Sequence, residues 1–473
     1  MKVTLIGHAS ILIEAGGLSI LSDPWWGGPC FGAQWWNYPE PRSDLIDGRR
    51  LDYIYISHGH HDHFHPGTLR SLGKDCTVLV SKAIGLADPV RRLGFSVIEV
   101  EENHELRLGS GTVACRVMET YAQDTLMSLT DGHEVCLNLN DALHSAPAAV
   151  QAAQIARLKG LYPKIDYVFC GYGVASHFPN CYVIPGKNRE ATTARRQLHF
   201  NRQWAKLIHE LQPRYGFPFA ADVVFFEDDL FWANEPTHNS QRPTDTFRRL
   251  YPGSSVQIVD IAPGFVIEDG KVIAEVVRQP VRASELRMNF AEQIRRANRV
   301  GAVDESEIEQ IATLLKSNLD SCAKYLKSYE RDYRFLLRFR NSAFGIQIEK
   351  RGTQLTLTRV PLPPPPGATY ELVYTTRLSY VRWALTRPHG EEVLFVGSGG
   401  VFEYANAARA SENLHRELTQ ILRMQPMPPR PRVSSRSRKL LTAVKQAIRR
   451  LLGRRSEDLY DLAQWTLFDK ARG

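Results

Sequence analysis

The sequence predicts an α/β protein in which two β-sheets pack against each other and helices cover the outside, followed by a smaller α+β domain. Short apolar runs of strand character follow one another from residue 3, helical stretches interrupt them from about residue 89, and a new pattern starts near residue 304. With 473 residues the chain is too long for one ordinary core. Its 43% apolar content excludes a disordered or fibrous protein.

The first domain is predicted over residues 1–300, with elements placed from hydrophobic periodicity and from the glycines and prolines between runs. The predicted strands are 3–6, 11–14, 18–22, 53–57, 77–81, 96–100, 113–119, 126–130, 135–139 and 165–170. The predicted helices are 89–93, 146–159 and 194–211. Runs of strands interrupted by helices indicate a sheet sandwich flanked by helices.

The second domain is predicted over residues 304–425 as a small α+β unit. Its predicted elements are, in order, a helix at 306–337, strands at 344–349 and 355–360, a proline-rich turn at 362–367, further strand-like sequence to residue 402, and a helix at 406–424.

Residues 426–473 are predicted to be a basic linker and an amphipathic helix. Between Met427 and Arg455 there are ten Lys or Arg residues and no Asp or Glu, so the basic pI belongs to this tail and the rest of the chain is near neutral. Nucleic acid is therefore not an expected partner. Apolar residues recur at helical spacing over 440–452, which suits either an anionic membrane surface or docking on the body of the protein. The oligomeric state is not predicted.

The expected location is cytoplasmic, with peripheral membrane contact through the tail. No apolar run approaches the roughly 18–20 residues that cross a bilayer, and the N-terminal residues show no secretory pattern. The seven cysteines are scattered and form no C-x-x-C pair, which is typical of buried free thiols. No Cys-x-His pair occurs, so a Rieske iron–sulfur centre is not expected within this chain.

A histidine cluster directly follows the apolar strand at 53–57. In extended chain, residues two apart face the same side, so His58 and His60 can direct their imidazoles at one point. Asp62 and His63 come after a turn and can reach a second point nearby. Imidazole and carboxylate ligands suit zinc above all, or iron or manganese, with open positions for water. The sequence therefore predicts a site for one or two divalent metal ions.

This strand-His-x-His-x-Asp-His pattern resembles the signature of the metallo-β-lactamase fold, which implies an αββα sandwich. Leu5-Ile-Gly-His-Ala-Ser and Leu21-Ser-Asp-Pro-Trp are similar to the branch that contains N-acylphosphatidylethanolamine phospholipase D. Leu137-Asn-Leu-Asn-Asp and Glu210-Leu-Gln-Pro-Arg-Tyr-Gly-Phe-Pro-Phe look more like the β-lactamase-like part of CMP-N-acetylneuraminate hydroxylase. The resemblance covers residues 1–234, about half of the chain.

The resemblance implies roles for individual residues. His58 and His60 would hold the first metal, and Asp62 and His63 the second, where these two would also be the catalytic pair. Asp141 falls where the family has a bridging carboxylate, although an ordinary turn aspartate is the alternative.

Two further residues are predicted around the metal. Asp23 would orient a ligand histidine from behind, since such outer partners fix the direction and tautomer of a ligand. His8 would line the site from the neighbouring loop.

The chain departs from the phospholipase-type pattern at two histidine positions. It offers Tyr121, Gln123 and Asp124 before the bridging aspartate, and no histidine in 215–219. Asp124 is a candidate for the first place, and His177 could approach from another loop; ordinary loop roles are the alternative for both. A mononuclear or iron site therefore stays open.

Three functions are compatible with this sequence. The first is a hydrolase in which a metal-bound hydroxide attacks an anionic substrate such as a phosphodiester, a nucleotide sugar or a lipid-like molecule. The second is an iron-dependent oxygenase or hydroxylase that receives electrons from a separate donor. The third is a binding module that keeps the fold with a degenerate metal site. Because the nearest hydroxylase resemblance involves a Rieske centre that this chain lacks, hydrolysis is the preferred prediction.

Overall fold

The computed structural model describes residues 1–121, 124–173, 179–238, 241–326, 332–407 and 415–424. His177, Gln123 and the predicted tail at 426–473 lie outside the described residues, so the calls made on them stay predictions. The structure divides into two compact units, one drawn from 1–176 and 193–299 and the other from 177–192 and 300–473. The predicted domain limits stay predictions, and 177–192 groups with the later part of the chain. No helix in the described ranges is long and apolar enough to span a bilayer.

The described residues contain strands that are numbered here in chain order. They are β1 (Lys2–Gly7), β2 (Ser10–Ala15), β3 (Leu18–Ser22), β4 (Trp35–Asn37), β5 (Tyr53–Ile56), β6 (Thr77–Ser81), β7 (Ser96–Val100), β8 (Leu106–Leu108), β9 (Val113–Glu119), β10 (Thr125–Thr130), β11 (Val135–Asn140), β12 (Tyr167–Gly171), β13 (Tyr182–Val183), β14 (Tyr215–Phe219), β15 (Val223–Phe225), β16 (Gln257–Ile258), β17 (Val266–Glu268), β18 (Lys271–Ala274), β19 (Tyr333–Phe339), β20 (Phe344–Arg351), β21 (Gln354–Pro361), β22 (Leu372–Thr376) and β23 (Gly400–Tyr404).

The α-helices are numbered in the same way. They are α1 (Pro66–Ser71), α2 (Ala87–Arg91), α3 (Ala148–Leu161), α4 (Arg189–Leu211), α5 (Asn234–His238), α6 (Pro243–Leu250), α7 (Ala283–Asn289), α8 (Ala291–Asn298), α9 (Glu305–Leu326), α10 (Leu378–Thr386), α11 (Glu392–Phe395) and α12 (His415–Ile421).

The first unit is built on two large sheets. One has the strand order β18-β17-β1-β2-β3-β5-β6-β7, and the other has the order β16-β14-β12-β11-β10-β9-β8. Their facing sides form one core to which Leu5 and Tyr55 of the first sheet and Phe169 and Phe217 of the second contribute. The predicted sheet sandwich is therefore confirmed.

Helices cover both outer faces of this sandwich. On β5, Tyr55 faces the inner core while its neighbours Ile54 and Ile56 pack with Leu69 of α1 and Val90 of α2, because successive strand residues alternate sides. The second sheet packs its outer face against helices in the same way. The contributing helix residues there are Leu158 of α3, Trp204 of α4 and Phe247 of α6. The layers thus follow the order helix, sheet, sheet, helix.

The second unit contains a six-stranded sheet in the order β13-β23-β22-β19-β20-β21. The predicted helix at 306–337 is wrong in its last part, because α9 ends at Leu326 and Tyr333–Phe339 is the strand β19. Tyr333, Phe335, Leu337 and Phe339 are buried at every second position, which is the period of a strand.

The strand-like stretch predicted up to residue 402 also needs correction. It contains α10 and α11 between the strands β22 and β23. Leu378, Val381 and Leu385 of α10 are buried three or four residues apart, so this apolar segment buries one helical face. A short apolar run does not distinguish such a helix from a buried strand.

Candidate metal centre

The predicted site residues lie where strand ends of the two sheets meet. β5 runs parallel to β3 and β6 and ends at Ile56, and the histidine loop begins with Ser57. β11 runs parallel to β12 in the other sheet and ends at Asn140, directly before Asp141. Because parallel strands end at the same edge, loops from separate parts of the sequence converge there.

Two groups of metal-binding side chains come together among the described residues. One consists of His8, Asp62 and His63, and the other of His58, His63 and Asp141. In each group, one donor atom of every residue lies within 4.8 Å of the others. The sequence predicts separate pairs at His58 with His60 and at Asp62 with His63. The structure differs in that His63 belongs to both groups.

The second of these groups has additional donors beside it. His58 Nε2 lies 3.9 Å from Asp141 Oδ1, and His63 Nε2 lies 3.8 Å from the same oxygen. His60 Nδ1 lies 2.8 Å from His58 Nε2, within hydrogen-bond distance, and the prediction that the two rings share a metal stays a prediction. Asp124 Oδ1 is 3.8 Å from His58 Nε2, which brings the candidate replacement for a missing histidine to the site.

Asp23 lies behind the histidines and is fully buried. Its carboxylate accepts hydrogen bonds from Ser57 N at 2.8 Å, Ser57 Oγ at 2.7 Å and His63 Nδ1 at 2.8 Å. Ser57 Oγ is in turn 3.0 Å from His58 Nδ1. With the Nδ1 protons of both rings engaged here, each Nε2 faces the site and can act as a ligand atom once it carries no proton. Ser57 was missed as a functional residue, because a single serine after a strand carries no metal signal.

The residues present fit a divalent cation. Asp62 Oδ1, His63 Nε2 and Asp141 Oδ1 are buried and have no hydrogen-bond partner, although buried polar atoms ordinarily have one. The carboxylates of Asp23, Asp62 and Asp141 are gathered around His63. Such a cluster is costly in a protein interior unless a cation balances it.

The electrostatics of His63 and Asp62 reflect the same imbalance. Burial alone lowers the pKa of His63, but the negative charges of Asp62, Asp141 and Asp23 and the hydrogen bond to Asp23 raise it to about 10. Burial alone raises the pKa of Asp62, but His63 and the hydrogen bond from His8 lower it below its usual range. Without a metal, therefore, a proton on His63 supplies the positive charge that the carboxylates need.

We expect metal binding to compete with this proton. Because the pKa of His63 is raised to about 10, its Nε2 must lose a proton at any lower pH before it can act as a ligand. The affinity for Zn²⁺ should rise by about tenfold per pH unit between roughly pH 6 and pH 8. Competition with a chromophoric chelator at each pH measures this slope. A flat profile would show that His63 does not exchange a proton for the metal.

The loop before the histidine cluster contains four tryptophans, of which two are buried and two are half-buried. Trp25 and Trp35 are buried, and Trp25 lies edge-on to His8 with ring centres 5.0 Å apart. Trp26 and Trp36 are half-buried. The two buried rings therefore support the site instead of contacting a substrate.

Comparison with known proteins finds similarity in the first part of the chain. Residues 2–135 match the family model of the β-lactamase superfamily domain. The match includes His8, Asp23 and the whole loop from His58 to His63, and it ends before Asp141. Over residues 2–135 the chain is similar to this superfamily domain. With its two sheets and flanking helices, the unit has the predicted metallo-β-lactamase αββα fold.

The chain is also similar to several named proteins. A Mycobacterium tuberculosis protein that bears the name Rieske 2Fe-2S iron-sulfur protein is 28% identical over 250 residues, which are 50% of this chain and 46% of that protein. The cytidine monophosphate-N-acetylneuraminic acid hydroxylase of Asterias rubens is 41% identical over 75 residues, 16% of this chain and 12% of the hydroxylase. The solved structure of Igni18, a metallo hydrolase from Ignicoccus hospitalis, covers 56% of this chain and 97% of its own with 15% identity and a TM-score of 0.39. The chain spans less than half the length of the mycobacterial relative it matches.

Close packing fixes the backbone on both sides of the Asn140–Asp141 peptide bond. A Cβ atom on Gly171, at the end of β12, would lie 2.8 Å from the Asn140 carbonyl oxygen and 3.1 Å from Asp141 Cα. Both neighbours are backbone atoms and cannot rotate away.

We expect Gly171→Ala to lower the free energy of unfolding by about 1–3 kcal/mol through overpacking and to weaken metal binding by displacing Asp141. Gly160→Ala is the matched control, because nothing lies within 4 Å of its Cβ position in α3. Urea unfolding of both variants measures the difference; equal stabilities would contradict the packing argument.

Proposed function

We propose that this protein is a metal-dependent hydrolase that acts on an anionic substrate containing a phosphodiester. The observation that carries the proposal is the pair of His and Asp donor groups that share His63, with buried donor atoms that no hydrogen bond satisfies. A divalent metal held there would lower the pKa of a water molecule toward neutrality and polarise the substrate. Hydrolysis needs no further co-reactant beyond water.

The residues of the site differ in how far solvent and substrate can reach them. His8, Asp62 and His63 are all buried, whereas the side chain of Asp141 is 18% exposed and that of Asp124 is 15% exposed. The opening therefore lies on the Asp141 side. A substrate entering there meets the group that contains Asp141, while the other group stays shielded from water.

The substrate class rests on two supports. The gathered carboxylates would repel an anion, so an anionic substrate can bind only when the metal is present. The activity should therefore depend strictly on the metal. The stretch that resembles cytidine monophosphate-N-acetylneuraminic acid hydroxylases supports a nucleotide-sugar-like molecule, in which a phosphate joins two alcohols. Lipid-like phosphodiesters belong to the same chemical class.

The second candidate function is an iron-dependent oxygenase. The names of the relatives favour it, since one is a hydroxylase and another bears the name of a Rieske protein. His and carboxylate ligands with open positions also suit non-haem iron. Because residues 1–473 contain no Cys-x-His pair, the electrons would come from a donor outside these residues.

Turnover of bis(p-nitrophenyl) phosphate and of a CMP-sugar by the whole chain distinguishes these functions. We expect turnover that stops on chelation, returns with Zn²⁺ or Mn²⁺ and continues without oxygen. Activity that needs iron, oxygen and an electron donor would assign the oxygenase instead. A protein that binds metal but turns over neither substrate under either condition would contradict both enzymes and favour the binding module.

A further inference from the structure

We infer that His8 is a metal ligand that completes a closed site with Asp62 and His63. The inference rests on the metal requirement of the proposed function and adds a ligand that lies outside the histidine cluster. His8 is about fifty residues from that cluster in the sequence, in the turn between β1 and β2. Three independent features of its surroundings support this role.

The first feature is the place that the backbone gives to His8. Its φ angle is +43°, in the left-handed region that residues other than glycine rarely adopt. The His8 carbonyl oxygen accepts a hydrogen bond from Ala220 N at 3.2 Å. Ala220 directly follows β14, the strand whose sequence Tyr215–Phe219 lacks the expected last histidine. The β1–β2 turn therefore brings a histidine to the strand end that does not supply its own.

The second feature is the direction of the imidazole. His8 Nδ1 lies 3.3 Å from the Asp222 carbonyl oxygen, and it can contact this acceptor favourably only as a donor. The other ring nitrogen, Nε2, lies 3.2 Å from Asp62 Oδ2, within hydrogen-bond distance. This contact places a ring nitrogen and a carboxylate oxygen side by side, and a metal ion bound by both would replace the proton between them. A ligand histidine usually donates one ring N–H to a carbonyl or carboxylate and binds the metal through its other nitrogen. The two contacts of His8 fit this arrangement.

The third feature is enclosure. The ring of His8 lies between Trp25, at 5.0 Å, and His63, at 5.8 Å between ring centres. All three donors of the group are buried. Fully enclosed metal sites hold an ion in place, whereas a site with an accessible position performs chemistry. We therefore assign His8, Asp62 and His63 to an ion that is retained, and His58 with Asp141 to the reactive position.

Substitution of His8 by glutamine tests the assignment through metal binding alone. The glutamine amide keeps a donor that can satisfy Asp62, but it is a poor ligand for zinc or cobalt. We expect the wild-type chain to bind two Co²⁺ ions and His8→Gln to lose one of them, with its Kd raised by more than about 100-fold, beyond the range typical of outer-sphere changes. His104→Gln, in an exposed turn, is the control and should bind both ions. Titration with Co²⁺, followed by visible absorption, measures the number of bound ions and the affinity of each.

The outcomes separate the inference from the proposed function. A His8→Gln chain that binds both ions with a Kd within about 100-fold of wild type would overturn the inference and leave the metalloenzyme intact. A wild-type chain that binds no metal would remove the proposed function itself. If His8→Gln does not fold, anomalous diffraction at the zinc edge of the wild-type protein decides: His8 Nε2 should lie about 2.0–2.1 Å from a zinc ion. A zinc ion bound to Asp62 and His63 without His8 would overturn the inference.

Discussion

Replacing His63 by alanine is expected to remove the ion that it would hold together with His8 and Asp62. His63 belongs to both donor groups, but its Nε2 has one lone pair and can bind only one ion, so the substitution deletes the ligand of that ion. Loss of a supporting outer contact already costs about 10–100-fold in metal affinity or activity, and loss of a ligand should cost more than about 100-fold for that ion. Metal content after dialysis and turnover of the phosphodiester should fall together.

His61→Ala is the matched control for this experiment. His61 lies in the same loop, stacks on Phe31 with ring centres 5.0 Å apart, and belongs to neither donor group. It should retain its metal and its activity. If His63→Ala retains as much metal as the wild type, His63 is not a ligand and this account of the site is wrong.

Asp23→Asn is expected to reverse the tautomer of His63. The Ser57 backbone N–H requires an acceptor, so the asparagine oxygen should stay there and its NH₂ group should turn toward Ser57 Oγ and His63 Nδ1. His63 Nδ1 then has to accept, which moves the ring proton to Nε2, the atom that should bind the metal. We expect metal affinity and turnover to fall by about 10–100-fold with little change in volume. Isothermal titration with Zn²⁺ measures the affinity.

Asp166→Asn provides the corresponding control. Asp166 is a buried aspartate that accepts a hydrogen bond from Val135 N at 3.0 Å and is not part of either metal group. Asp166→Asn therefore removes the same charge and alters a similar hydrogen bond, but away from the two donor groups. Equal loss of metal affinity in both variants would mean that Asp23 contributes only to folding, and the orienting role would be excluded.

The sandwich and the centre of the site follow from short-range sequence patterns. β5 and the loop that begins at His58 are predicted because an apolar strand and a ligand cluster are adjacent in the sequence. Asp23 and Asp141 also lie beside the histidine loop, since each directly follows a strand that ends at this edge of its sheet. These sequence patterns are local, and the parallel arrangement of the strands brings the residues that follow them to one edge of the sheet.

The features that escaped prediction depend on long-range contacts. The grouping of His8 with Asp62 and the role of Ser57 arise from side chains that meet only when β1, β3 and β5 are in register. The helix predicted at 306–337 wrongly includes the first residues of the strand β19, because a short apolar run does not separate a buried strand from a buried helix. The pairing of β19 with β20 and β22 outweighs the local pattern.

The number of metal ions bound by the purified wild-type chain tests the central claim most directly. The chain is loaded with Zn²⁺, dialysed against metal-free buffer and analysed by elemental mass spectrometry. Circular dichroism checks that it is folded. The buried donor groups predict about one to two ions retained per chain. A folded chain that retains no ion from zinc, manganese or iron would contradict the claim that these histidines and aspartates form a metal centre.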